Sequence, residues 1–149
     1  MKIVLGSDHA GFELKQHLVT VLQQAGHETY DVGAFSSASV DYPDSAAQVA
    51  ARLASGQAER GIVVCGSGIG ISIAVNKMPG IRAALCNEPV SARLSREHND
   101  ANVLALGARL TTPMMAEEIL KVWLETPFEG GRHQGRIDKI TALEQAHAD

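Results

Sequence analysis

Apolar positions along this chain follow two alternating rhythms. Short apolar runs at residues 3–5, 27–32, 62–64, 81–86 and 103–106 read as strands. Between them, apolar positions recur at helical spacing. Leu14, Leu18, Val21, Leu22 and Ala25 share one face of a first helix, and Gly26 stops it. Pro43 with Asp44 or Ser45 opens a second helix, which carries Ala46, Val49, Ala50 and Leu53 and ends near Gly56. Residues 71–77 read as a third. Asn87 or Glu88 before Pro89 opens a fourth, running to about Glu97. Thr112 before Pro113, a capping hydroxyl ahead of a proline, opens a fifth with Met115, Ile119, Val122 and Trp123. After Gly130-Gly131 a last helix, about residues 133–146, carries Ile137, Ile140 and Leu143. The serine-rich stretch 35–41 reads as a loop.

Nearly continuous apolar strands alternating with helices predict an α/β fold, with a five-stranded parallel sheet covered on both faces. No repeat, low-complexity tract or linker divides the chain, so residues 1–149 are read as one domain. Sheets of this kind bind ligands beyond the carboxyl ends of their strands, near a reversal of strand order. The segments directly after strands here are Gly6-Ser7-Asp8-His9, Cys65 to Gly70, Cys86-Asn87-Glu88 and Gly107-Ala108-Arg109.

Composition narrows the partners. The net charge of -4 argues against nucleic acid or an anionic membrane surface, and 4% aromatic residues offer no base-stacking platform. The N-terminal apolar run, residues 1–6, is too short for a signal peptide, and no stretch approaches membrane-spanning length. Two cysteines without CxxC spacing give no disulfide framework. A reducing cytoplasm is the expected location.

The most informative segment is Cys65-Gly66-Ser67-Gly68-Ile69-Gly70, where a buried strand meets a glycine-rich turn that opens a helix. Amides at a helix start favour a thiolate and can hold an anion or a developing oxyanion. Three familiar motifs fail here. A dinucleotide fingerprint needs glycine at Ile71, a phosphate loop needs a following Gly-Lys-Ser/Thr, and a cysteine phosphatase needs arginine at Ile71. Two readings of Cys65 stay open: a reactive thiol beside an anion cradle, or a small buried strand residue before a tight turn.

Other candidates carry similar alternatives. Asp8-His9 suits proton transfer, although Asp8 is also a natural cap for the first helix. His98-Asn99-Asp100 is a second polar cluster, at the fourth helix's end, where a histidine also complements the helix dipole. Arg132 and Arg136 share a helix face and could clamp a phosphate, or simply be solvated. Cys86 reads as buried structure; His17, His27 and His147 receive no role. Met78, Met114 and Met115 read as core or loop packing. The sum is acid/base chemistry on a small phosphorylated metabolite.

Several motifs together resemble the type B ribose-5-phosphate isomerases of the ribose/galactose sugar-phosphate isomerase family. They are residues 6–12 (Gly-Ser-Asp-His-Ala-Gly-Phe), Asp41-Tyr42-Pro43, residues 65–70, residues 95–100 (Ser-Arg-Glu-His-Asn-Asp) and Gly130-Gly131-Arg132-His133. The resemblance runs from Met1 to about Ala146. It implies a Rossmann-like three-layer α/β/α fold, a homodimer with composite active sites, and interconversion of ribose 5-phosphate and ribulose 5-phosphate without a metal or other cofactor. Assembly to a tetramer stays open. Carried over by position, Cys65 is the base that moves a proton between C2 and C1. Ser67 and the amides of Gly66, Gly68, Ile69 and Gly70 form the oxyanion site. The resemblance also makes His98 the ring-opening acid/base group, with Asp8 assisting at the sugar oxygens and Asn99 binding the sugar. His9, Arg109, Arg132 and Arg136 would hold the phosphate. Other branches of the family place a glutamate base at Ile71; isoleucine accepts no proton, which leaves Cys65. The alternatives are an allose- or galactose-6-phosphate isomerase and a non-catalytic sugar-phosphate-binding module.

Overall fold

The computed structural model describes residues 1–148. In chain order the elements are β1 (Lys2–Ser7), α1 (Phe12–Gln24), β2 (Glu28–Asp31), α2 (Tyr42–Ala54), β3 (Arg60–Cys65) and α3 (Ile69–Val75). There follow β4 (Ala83–Leu85), α4 (Pro89–Asn99), β5 (Val103–Gly107), α5 (Pro113–Glu125) and α6 (Arg132–Ala146). The five strands form one parallel sheet in the order β2-β1-β3-β5-β4. This is the parallel sheet covered on both faces that the strand and helix rhythm predicts, in the Rossmann-like three-layer form that the family resemblance implies.

Why the strands are apolar throughout is visible in their alternation. Ile3, Leu5, Ile62, Val64, Leu104 and Leu106 point to one face, where they meet α1, α4 and α5 around a buried Trp123. Val4, Val63, Cys65, Val103 and Ala105 point to the other, against α2 and α3. With period two, both faces of each central strand are core, so no polar position interrupts the run.

The edges account for the differences from the sequence reading. β4 is only three residues long, shorter than the apolar run at 81–86. Asn76 replaces a neighbouring strand there: its side-chain amide donates to Ala83 O (3.0 Å) and its carbonyl accepts from Ala83 N–H (2.8 Å). That satisfies the edge and stops further pairing. Helix α2 begins at Tyr42, with Asp41 extended before it. Glu88, just before Pro89, caps α4: its carboxylate accepts from Val90 and Ser91 N–H, and hydrogen bonding from Ser91, by its hydroxyl first and then its N–H, holds the Glu88 pKa below the ordinary value. The same helix runs on to Asn99. Arg96, read as near its end, is instead a buried strut, donating to Ala101 O (2.7 Å) and pairing with Asp100 (2.8 Å). Met114 is 76% exposed, so it is not core.

A second buried cation braces the opposite edge of the sheet, at β2. Lys15 is fully buried, donates to Asp31 and to Ala34 O, and lies 5.6 and 5.4 Å from the ring centroids of Phe12 and Phe35. Ala34 N–H in turn donates to Ser7 O (2.8 Å), directly before Asp8. Lys15→Ala leaves the Asp31 carboxylate without its cation. We expect a loss of about 3 kcal/mol, or roughly 10 °C in Tm. Adding Asp31→Asn should recover part of it in thermal unfolding; an equal loss in the double variant would refute the pairing as the cause.

Candidate active site

The strand order decides where a site can form. β1 and β3 are neighbours, but α1 leaves to one face and α3 to the other. Their carboxyl ends therefore part, and β5 completes the crevice. Asp8 and His9 enter it from β1, Cys65 and Ser67 from β3, Arg109 from β5, and Tyr42 from the start of α2. Backbone hydrogen bonds stitch the three loops together: Asp8 N–H to Val64 O (3.2 Å), Ala108 N–H to Cys65 O (2.9 Å) and Arg109 N–H to Gly66 O (2.9 Å).

Cys65 is the last residue of β3, only 4% exposed, and lines this crevice. The Gly68 N–H donates to Sγ (3.1 Å). The turn that makes this contact needs Gly68, which has φ of +76° and would put a Cβ 2.5 Å from Leu85. Ser67 Oγ accepts from Ile69 N–H (3.1 Å), which leaves its own hydroxyl proton free to donate into the crevice. Two of the loop amides are thus already committed. Among the described residues, the amides of Ser67 and Gly70 have no protein partner. Ile71 is fully buried in the same core cluster as Cys65, so an apolar wall stands behind the thiol. The other cysteine, Cys86, is 1% exposed, and burial raises its thiol pKa against partial relief from Ser91 and Ser95. It stays a protonated core residue at neutral pH.

The polar wall is held from outside the site. Asp8 is 7% exposed and does not cap α1 directly. Its Oδ1 accepts from Gly11 N–H (3.0 Å), and Gly11 takes the cap position instead. His9 Nδ1 lies against Val40, 3.2 Å from its N–H and 3.3 Å from its O. With Nδ1 accepting from Val40 N–H, the ring carries its proton on Nε2. The Arg109 guanidinium is exposed and lies over Gly66, where a Cβ would stand 3.2 Å from Nη1. Tyr42 is an aromatic lining residue to which sequence reasoning gave no role. Its ring closes over Gly70, where a Cβ would come within 2.7 Å. The only signal was its place in the Asp41-Tyr42-Pro43 motif.

The remaining candidates lie elsewhere on the chain. Because β4 and β5 are parallel, α4 must run back from the carboxyl end of the sheet to its amino end. His98 and Asn99 sit in its last turn, just before Val103. Cys65 pairs in register with Gly107, at the opposite end of β5. Four residues of strand separate the two levels, about 13 Å. Arg132 and Arg136, both exposed, lie in the first turns of α6, which packs on α4. One chain therefore carries two separate groups of candidate residues: Cys65, Ser67, Asp8, His9 and Arg109 at one end of the sheet, and His98, Asn99, Arg132 and Arg136 at the other.

In the second group, the ring of His98 stacks on His133 at 4.5 Å with planes 19° apart. His133 is 5% exposed, and Glu129 lies 3.4 Å from its Nε2. The sequence reading named His133 only as part of the Gly130-Gly131-Arg132-His133 motif; nothing in the spacing of residues 98 and 133 signals the stack. His98, Glu129 and His133 are the one group among the described residues that could hold a metal ion, with ligand atoms within 4.8 Å of one another. Their geometry is that of a stack. In-plane lone pairs on two nearly parallel rings run side by side and do not converge on a common point. No helix among the described residues is long and apolar enough to cross a membrane.

Comparison with known proteins agrees with this architecture. Residues 3–140 match the model of the Ribose/Galactose Isomerase family, and the chain belongs to that family. It is 52% identical over 144 residues to ribose-5-phosphate isomerase B of Escherichia coli strain K12, covering 97% of each chain. The solved ribose-5-phosphate isomerase B of Clostridium thermocellum superposes with a TM-score of 0.98 at 50% identity, covering 99% of each chain. That of Mycoplasma genitalium, solved with bound ribulose 5-phosphate, has a TM-score of 0.92 at 39% identity, covering 97% of this chain and 96% of its own.

Proposed function

We propose that this chain is a ribose-5-phosphate isomerase, interconverting ribose 5-phosphate and ribulose 5-phosphate through an enediolate. The observation that carries this is Cys65, which lines the crevice with its sulfur held by the Gly68 amide, in a loop whose Ser67 and Gly70 amides have no protein partner among the described residues. Relatives sharing about half its residues bear that activity in their names.

The steps arise from the groups present. His98 opens the furanose by moving the proton of the C1 hydroxyl to the ring oxygen, as the C1–O4 bond breaks and the aldehyde forms. The Cys65 thiolate then takes the proton from C2. Charge develops on O1, where Ser67 Oγ–H and the loop amides, chiefly those of Ser67 and Gly70, donate to it. The resulting thiol returns the proton to C1, and Asp8 assists the proton that moves between O2 and O1. No bond forms between sulfur and sugar. Asn99 binds the sugar. His9 Nε2–H, Arg109, Arg132 and Arg136 hold the phosphate, which fixes the reacting carbons over the thiol.

Because the two groups of candidates lie at opposite ends of one sheet, we infer that each is half of a site and that the enzyme is a homodimer. The carboxyl end of one chain faces the amino end of its partner, giving two composite sites. Ile69 (51% exposed) and Leu110 (58%) line the crevice, and Ile73 comes one turn after Ile69. Exposed apolar groups at a polar crevice suit a surface that a second copy covers. Two free cysteines suit a reducing cytoplasm, where pentose phosphates are interconverted.

Assays in D2O across aldose phosphates test the reading. We expect deuterium to enter the sugar at C1 or C2, and the highest kcat/KM for ribose 5-phosphate. A higher value for allose 6-phosphate or galactose 6-phosphate would reassign the substrate. Binding without any exchange would make the chain a sensor.

A further inference from the structure

We propose that His133 is a positioning residue for ring opening, acting as the stacking platform that sets the plane of His98. The proposal rests on the reading of His98 as the ring-opening group. Among the described residues, no hydrogen bond holds either ring nitrogen of His98, which sits half-buried in the last turn of α4. A histidine free to turn about its side-chain bonds would spread its nitrogens over a wide arc. Proton transfer between O1 and the ring oxygen needs one nitrogen within hydrogen-bond reach of both. The stack at 4.5 Å and 19° removes that freedom.

The platform is itself fixed. His133 is 5% exposed, on the first turn of α6. Its N–H donates to Gly130 O (3.0 Å), and Glu129 lies 3.4 Å from Nε2. The Glu129 N–H donates to Glu97 O (3.1 Å), the residue before His98. Backbone and ring contacts thus join the end of α4 to the start of α6 at the pair of histidines. Stacking leaves all the nitrogens of His98 available, whereas a hydrogen bond would occupy one. A group that must take a proton from one oxygen and give it to another gains from being held by its face.

The chemistry of the two substrates supplies the test. Ribose 5-phosphate is mostly a furanose and must be opened. Ribulose 5-phosphate cannot close a furanose, because its O5 is esterified, so exchange of its C1 proton with solvent bypasses His98. His133→Ala should lower ribose 5-phosphate turnover about a hundredfold. Deuterium uptake at C1 of ribulose 5-phosphate in D2O, followed by NMR, should stay within about threefold of wild type. His133→Phe, which restores a flat ring without nitrogens, should recover most of the turnover. Loss of both reactions together in His133→Ala would mean a structural role, and no loss in either would mean no role. Failure of His133→Phe to rescue would assign the work to the imidazole nitrogens. Each of these overturns the proposal. His98→Asn tests the underlying reading separately: if it turns over ribose 5-phosphate normally, His98 is not the ring opener, whatever His133 does.

Discussion

Cys65→Ala is expected to lose isomerisation by about a thousandfold or more, since it removes the group proposed as the base at C2. The fold should survive. Cys65 is a small residue at a strand end, and its backbone partners, Ala108 and Gly107, do not depend on the side chain. Cys65→Ser is the sharper variant. It keeps a hydrogen-bonding atom for the Gly68 amide but replaces the thiol with a hydroxyl far too weakly acidic to act as base, and it should be nearly as inactive. Steady-state rates with ribose 5-phosphate, alongside circular dichroism and melting, decide the matter. Near-normal turnover by either variant would remove Cys65 from the mechanism. Ile71, buried behind the sulfur, cannot take over.

A mixture of two dead enzymes should be alive. Cys65→Ala and His98→Asn each damage a different half-site. Unfolded together at equal concentration and refolded, about half of the dimers should contain one chain of each kind, and each mixed dimer has one intact site. Turnover should then recover to about a quarter of the wild-type value. Mass measurement shows whether mixed dimers have formed. If they form and stay inactive, Cys65 and His98 do not meet across the subunits, and the dimeric reading of the site fails. Recovery should also depend on chain concentration, whereas a site complete within one chain would show no recovery at all.

Much of the fold was legible because its causes are local or periodic. Central strands with core on both faces cannot hide their apolar runs, and Gly26, Pro89, Thr112-Pro113 and Gly130-Gly131 mark helix ends by backbone chemistry. Half of the candidate site was legible for the same reason: a parallel sheet gathers the loops leaving β1, β3 and β5 at one end. The edge strand was overestimated because Asn76, distant from any strand pattern, takes the place of a neighbour. Arg96 was missed because its partners, Ala101 and Asp100, look like an ordinary polar turn in sequence. The stack of His98 on His133 spans 35 residues and depends on how α6 meets α4, which no spacing rule encodes. Nor does composition show that the motifs belong to opposite ends of the sheet. That emerges only when the direction of α4 is traced against β5.

The direction of that one helix also has a genetic consequence. If each site draws on two chains, damage is counted per site and not per gene. A subunit impaired at Cys65 alone still lends a sound histidine to a healthy partner, so half the sites of the pair survive. A subunit impaired at both Cys65 and His98 spoils each site it touches, and the healthy partner is silenced with it. Recessive lesions at the two ends of the sheet, once joined on one allele, become dominant.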